Sequence, residues 1–456
     1  MRYFRLSGLL AVPLLLAGCD TIGSLVPSMP DLGMSSLGAG DSSPAIQAAK
    51  TTGLAISDEP FAAQTGAAIL TQGGSAADAV SAMFFTLTAT YPVAAGLGGG
   101  GICIVRDSQG RAREYDFLPH AANAGGAYAV PGAVAGFLDL QKAYGSLPWQ
   151  RDVAPGEAYA ATGFPISHVL ALRLASAQNV IRADSALAAE FLGPSGQPRP
   201  EGTVVANPDL SVTLGTIRQN GADGFYSGAV AASLVNASGA LSAAELSGYR
   251  STQNPARILN LGSVSAAIPG PSTGAGTFSD RVLIGFRGND LAAATATAVR
   301  GALAGFNIQS VPPDLGATGF AALDANGQAA ACAMTMNGPF GAGRSAGQTG
   351  VVLAASPASP AGISSAFLTP VIAADTGGQV ALAGAGAGGP NGTGAILYAL
   401  MRLATGQGLG RPGDLRSTGL APFATVNVIA CNGLCVALPD PGGNGLGATV
   451  GDPPSQ

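Results

Sequence analysis

Ala67-Ala68-Ile69-Leu70-Thr71-Gln72-Gly73-Gly74-Ser75-Ala76-Ala77-Asp78-Ala79 is the stretch on which the fold turns. Its first half closes a helix that opens at Asp58-Glu59-Pro60, where acidic residues and a proline suit a first turn. Gln72-Gly73-Gly74 ends that helix. Ser75 followed by Asp78 spells a capping box, so a second helix begins there. Val80, Met83, Phe84 and Leu87 then fall on one helical face, and Tyr91-Pro92 stops the run.

Outward from this pair, Gly96–Gly101 is a glycine-rich loop, Ile102–Val105 a short buried strand and Ala112–Phe117 a second strand. Pro131-Gly132 starts a third helix through Leu140 and Tyr144. Ser167 and Asn207-Pro208 open two more, and Ser242 with Glu245 forms another capping box. From Ser251 the pattern changes to strand-like runs at Val264–Ile268, Phe320–Leu323, Ala330–Met336, Gly350–Leu353 and Gln379–Ala383. A helix covers Ala395–Leu403, and a hairpin over Val426–Val436 closes the chain. Helices first, then strands with a helix among them, predict sheets covered by helices in one large domain.

The first residues read as an export signal. Arg2 and Arg5 precede an apolar run of about twelve residues, Leu6–Ala17, too short to span a bilayer. Leu16-Ala17-Gly18-Cys19 is a lipobox, which makes Cys19 the lipidation site. Each buried acyl methylene contributes roughly 0.8 kcal/mol, so two or three chains anchor firmly. The expected organisation is a signal peptide at 1–18, a Ser-, Pro- and Gly-rich tether at 19–50 and one domain at 51–456. The expected partner is the membrane, through the anchor, on the periplasmic side of the envelope. Asp20 favours the inner membrane.

Only 10% of residues are charged, against about 25% in an average soluble domain. A net charge of −5 argues against nucleic acid. His120 and His168 are the only histidines and the cysteines are dispersed, so no metal site is expected and no cofactor is implied. Cys431 and Cys435 flank Asn432-Gly433-Leu434 and should face each other across the hairpin as a disulfide. Cys103 and Cys332 lie in apolar strands and read as buried free thiols.

Two catalytic-looking motifs carry little. Gly343–Gly347 fits G-x-S-x-G, but both histidines precede Ser345, the wrong order for a serine elbow. Gly384–Gly389 fits a dinucleotide loop, but no acidic residue follows at the end of a strand to hold a ribose. A glycine loop at a helix start can instead offer N–H groups to an oxyanion.

The ordered words of the chain resemble the gamma-glutamyltranspeptidase family. They are the Ala67–Ala79 stretch, Gly96–Gly101, Val130–Gly136, Tyr144–Trp149, Gly221–Gly228, Ile268–Gly274, Asp324 with Gly327, Thr335-Met336-Asn337, Phe340-Gly341 and Pro439-Asp440-Pro441. The resemblance implies the N-terminal-nucleophile hydrolase fold, an α+β four-layer αββα sandwich. It also implies a large-subunit-like part at 51–316 and a small-subunit-like part at 317–456. In that family a precursor cuts itself before a threonine, whose hydroxyl then attacks a gamma-glutamyl amide with its own amine as base.

Carried over residue by residue, Thr335 matches a residue that supports the nucleophile, and Asn337, Ser364 and Ser365 match substrate-binding positions. Gly388 and Gly389 match the oxyanion loop. Counting back from Asp324 without gaps puts Ala317 at the nucleophile position. A one-residue deletion would put Thr318 there instead, but side chains alternate along a strand, so the offset points Thr318 to the other face. The family's carboxylate-binding arginine aligns with Leu118, which cannot make bidentate charged bonds. The aspartate for the substrate amine aligns with Ser359. Two readings follow. One is a family-fold lipoprotein that has lost the parent activity but keeps a site for a small amino-acid- or peptide-like ligand. The other is a self-cleaving amidase using Thr318 on a different amide.

Overall fold

The computed structural model describes residues 46–48, 53–415, 423–442 and 445–449. The signal peptide, Cys19 and the tether up to residue 45 lie outside the described residues. Ile46–Ala48, inside the stretch read as tether, is an edge strand paired antiparallel to Leu434–Leu438, so ordered pairing starts earlier than the composition predicts.

The body is built on two seven-stranded antiparallel sheets. The first runs, edge to edge, Leu446–Thr449, Leu54–Ser57, Ala317–Leu323, Ala329–Thr335, Gly100–Arg106, Ala112–Phe117 and Thr252–Pro255. The second runs Ile46–Ala48, Leu434–Leu438, Thr425–Asn432, Val380–Ala387, Thr369–Asp375, Val264–Ile268 and Arg257–Asn260. Alternation of side chains sorts each strand between two layers. In the first sheet Cys103, Val105, Phe320, Ala322, Ala330 and Cys332 face helices that include Ala76–Thr90 and Ala133–Tyr144. In the second, Val371, Leu382, Val426 and Val428 face Gly274–Gly285, Leu291–Gly305 and Pro390–Ala404. The other faces meet each other: Leu54, Ile56, Ile104, Ala321 and Ala331 pack against Ala267, Ile372, Ala383 and Ile429. The result is the expected four-layer αββα sandwich.

Both capping boxes form, with Ser75 reciprocating Asp78 and Ser242 reciprocating Glu245. The Gly350–Leu353 run does not become a strand. Gly350 sits at φ +65°, and Val352 and Leu353 make only single bridges, to Ser345 and Gly98. Cys431 and Cys435 form the expected disulfide around Gly433, which adopts φ +81°. Cys103 and Cys332 are not free thiols. They sit directly opposite each other on adjacent antiparallel strands and are bonded. Such a pair brings Cβ atoms within disulfide reach.

Candidate functional site

Ala317 opens its strand and pairs in register with Thr335 at the end of the neighbouring one. It faces the inter-sheet layer in a fully buried group with Ile102, Ala275, Ala333, Leu368, Ala385 and Ala387, against which Leu118 packs. Ala317 and Leu118, which the sequence resemblance aligns with the family's nucleophile and carboxylate clamp, therefore share one apolar cluster. Thr335 borders it and donates its hydroxyl to Ser364 Oγ at 2.8 Å. The same oxygen accepts from Asn337 N at 2.8 Å. Asn337, at φ +56°, donates from Nδ2 to Ala355 O at 2.9 Å. Its Oδ1 is buried with no hydrogen-bond partner, as is the Ser359 hydroxyl.

Thr335, Asn337 and Ser364 are thus brought together beside Ala317. Ser365 is not, since its hydroxyl turns back to Gly362 O at 3.1 Å. Gly388 and Gly389 form the turn into the Pro390–Ala404 helix at φ +77° and +132°. A Cβ on Gly388 would lie 2.2 Å from Phe423 O, so the backbone there demands glycine whatever its chemistry. The strand before this loop is flanked by antiparallel neighbours on both sides, which removes the parallel context of a dinucleotide site. Among the described residues, the surface cavities of about 220 to 700 Å³ lined by Thr213 and Asp223, by Asp375 and Cys431, by Glu190 and Ser345, and by Asp139 and Tyr249 do not include these residues.

Thr318 is on the opposite face, in a polar network as buried as the alanine cluster. Its hydroxyl donates to Asp58 Oδ2 at 2.6 Å. Asn427, from the second sheet, donates to Asp58 Oδ1 at 2.6 Å and to Gly319 O at 2.8 Å. Arg173 reaches in from the His168–Ser176 helix. It pairs with Asp314 and donates from Nη1 to Ala317 O at 3.1 Å and to the Tyr91 hydroxyl at 3.3 Å. Asp314 Oδ1 accepts from Gly316 N at 2.8 Å, and Gly316 O accepts from Met336 N at 2.8 Å. Burial raises the Asp58 carboxyl above its usual range, although the Thr318 and Asn427 bonds and the Arg173 charge act the other way. A hydroxyl on a carboxylate, with a guanidinium on the preceding carbonyl, supplies a base and an oxyanion donor across the Ala317–Thr318 peptide bond.

Asp58, Tyr91, Arg173, Asp314 and Asn427 were not singled out from the sequence. Asp58 read only as a helix start. Arg173 carried one signal: it shares the buried face of its helix with Val169, Leu170 and Leu174. Ser345, the serine of the G-x-S-x-G match, donates to Asp184 at 2.8 Å. That aspartate caps the Ser185–Phe191 helix, so the serine belongs to a cap.

A family model described as gamma-glutamyltranspeptidase matches residues 62–296. The chain belongs to the gamma-glutamyltranspeptidase family. Among its relatives are glutathione hydrolase 2 of Arabidopsis thaliana, 30% identical over 243 residues (49% of this chain and 42% of that protein), and the glutathione hydrolase proenzyme of Bacillus subtilis, 31% identical over 205 residues (40% and 35%). The capsule biosynthesis protein CapD proenzyme of Bacillus anthracis is 32% identical over 194 residues (42% and 36%). The chain spans less than half the length of these curated relatives. The fold extends further than the sequence likeness: a cephalosporin acylase from Bacillus halodurans superposes with a TM-score of 0.71 at 18% identity, over 92% of this chain and 99% of that one. The family model stops before the Asp314–Thr318 segment, so that segment keeps the fold outside the matched stretch.

Proposed function

We propose that this gamma-glutamyltranspeptidase-family protein is an envelope lipoprotein that has lost the parent gamma-glutamyl transfer and hydrolysis. The observation that carries this reading is Ala317, a methyl group at the nucleophile position, sealed in a cluster that also holds Leu118 in place of a carboxylate clamp. An acyl transfer needs a nucleophile and a means of orienting its substrate, and neither side chain supplies one. Two disulfides within the body suit an oxidising compartment, in keeping with the lipobox at Cys19. What survives, Thr335, Asn337, Ser364 and the Gly388-Gly389 turn, is the frame of a site for a small amino-acid- or peptide-like ligand.

A second reading rests on Thr318, held between Asp58 and the Arg173-bound carbonyl of Ala317. There the chain cuts itself between Ala317 and Thr318 and acts on another amide. Two assays separate the readings. Release of p-nitroaniline from gamma-glutamyl-p-nitroanilide should stay at the uncatalysed rate, and sustained turnover defeats the first reading. The mass of the fully reduced, denatured chain should be that of one polypeptide. Two fragments, the smaller beginning at Thr318, establish the second.

A further inference from the structure

Asparagine is followed by glycine at 220–221, 326–327, 337–338, 391–392, 432–433 and 444–445. In such a pair the glycine nitrogen, with no side chain beside it, can reach the asparagine Cγ and act as a nucleophile. A backbone N–H already given to an acceptor must first break that bond. Gly221 N donates to Ile217 O at 2.8 Å, Gly327 N to Asp324 O at 3.2 Å, Gly338 N to Leu315 O at 2.9 Å and Gly392 N to Gly389 O at 3.0 Å. Each of those glycine nitrogens is therefore tied down. Asn220 and Asn326 are exposed all the same, so access of water alone does not set a pair apart. Asn444 lies outside the described residues.

Asn432-Gly433 differs. Asn432 and Leu434 are register partners at the end of the hairpin, so Gly433 alone turns the chain, at φ +81°. Among the described residues no backbone oxygen accepts from Gly433 N. Asn432 and Gly433 are both exposed, Leu434 beside them is 54% exposed, and the space around the Gly433 Cα is open. One residue back, Cys431 is bonded to Cys435.

We infer that Asn432 is a site of spontaneous deamidation, the one favoured among these pairs in the folded chain. Gly433 N loses its proton to solvent base and bonds to Asn432 Cγ. The Cγ–Nδ2 bond breaks and ammonia leaves with that proton, closing a cyclic imide. Water then opens the imide at either carbonyl. Opening at Cγ leaves aspartate, and opening at the Asn432 backbone carbonyl leaves isoaspartate, with one methylene added to the main chain of a one-residue turn. Either product carries one more negative charge on a chain of net charge −5. The charge appears on the wall of the cavity of about 670 Å³ that Asp375 and Asp414 also line. The Cys431–Cys435 bond keeps the hairpin closed around the altered turn.

The test is peptide mapping of the intact folded protein after incubation at mildly alkaline pH, beside the same protein held in urea. No lysine or arginine follows Arg416, so one tryptic peptide of the reduced chain carries Asn432 and Asn444, and fragmentation separates the two. In the folded protein, replacement of NH by O at residue 432 should outpace that at Asn220 and Asn326 by about tenfold, the factor that one ordinary net hydrogen bond supplies. In urea the described pairs should convert at similar rates. Conversion of folded Asn432 no faster than that of Asn220 or Asn326 overturns the proposal. So does a preference for Asn432 that persists in urea, since the fold would then not be its cause.

Discussion

The two faces of the Ala317–Leu323 strand are equally buried and differ in almost everything else. The inter-sheet face offers methyl groups: Ala317 among Ala333, Ala385 and Ala387, with no polar side chain of its own strand. The helix-facing side begins with Thr318, tied through Asp58 and Asn427 to the second sheet, while Arg173 and Asp314 grip the backbone on either side of Gly316. One residue of offset separates the two environments, because strand side chains alternate. The difference teaches that burial alone does not make a site: one face holds the residue that the resemblance aligns with the family's nucleophile but only a methyl group there, the other has hydroxyl, acid and guanidinium without an opening among the described cavities.

The comparison breaks most easily at Arg173. Arg173→Met keeps much of the volume but leaves the buried Asp314 without its cation, with only the Gly316 N–H still bonded to it, and should cost about 3–5 kcal/mol in urea unfolding. A loss below 1 kcal/mol would mean that the polar face contributes little to the fold. Thr318→Val keeps the shape and removes the donor to Asp58, so a loss of about 2–3 kcal/mol is expected. If the chain does cut itself, the same variant should be recovered uncut. The smallest effect is on the other face. Ala317→Ser adds one hydroxyl opposite Thr335, should cost about 1 kcal/mol, and should leave gamma-glutamyl-p-nitroanilide untouched. Turnover by that variant would show that the site lacks only its nucleophile, and that Leu118 is no obstacle.

Local signals were legible in the sequence. The capping boxes at Ser75 and Ser242 depend on residues three apart, and the Ala112–Phe117 and Val264–Ile268 strands have the expected bounds to the residue. The Leu291–Gly305 helix escaped notice because its buried face, Leu291, Ala294, Thr295, Ala298, Val299 and Ala302, is mostly small. Alanine hides the period that larger side chains would reveal. Thr369–Asp375 was missed behind Pro370, which reads as a strand breaker. Placement of Thr318 away from Ala317 follows from alternation alone. Its partners do not: Asp58 is 260 residues away, and no periodicity announces a contact of that range. The Cys103–Cys332 bond stayed hidden for the same reason, since it depends on the register between two strands.

That bond also changes what a break in the chain would mean. Cys103 and Cys332 close a covalent ring with a sequence separation of 229 residues, and the Asp314–Thr318 segment lies on the ring. A closed ring of that size restricts the unfolded chain by on the order of 5 kcal/mol in the loop-entropy picture. A single cut opens the ring without dividing the molecule. The two pieces would then hang from one sulfur–sulfur link, each held at high effective concentration near the other. Their reassembly after unfolding would remain independent of dilution, and only a reductant would turn it into a meeting of two separate chains.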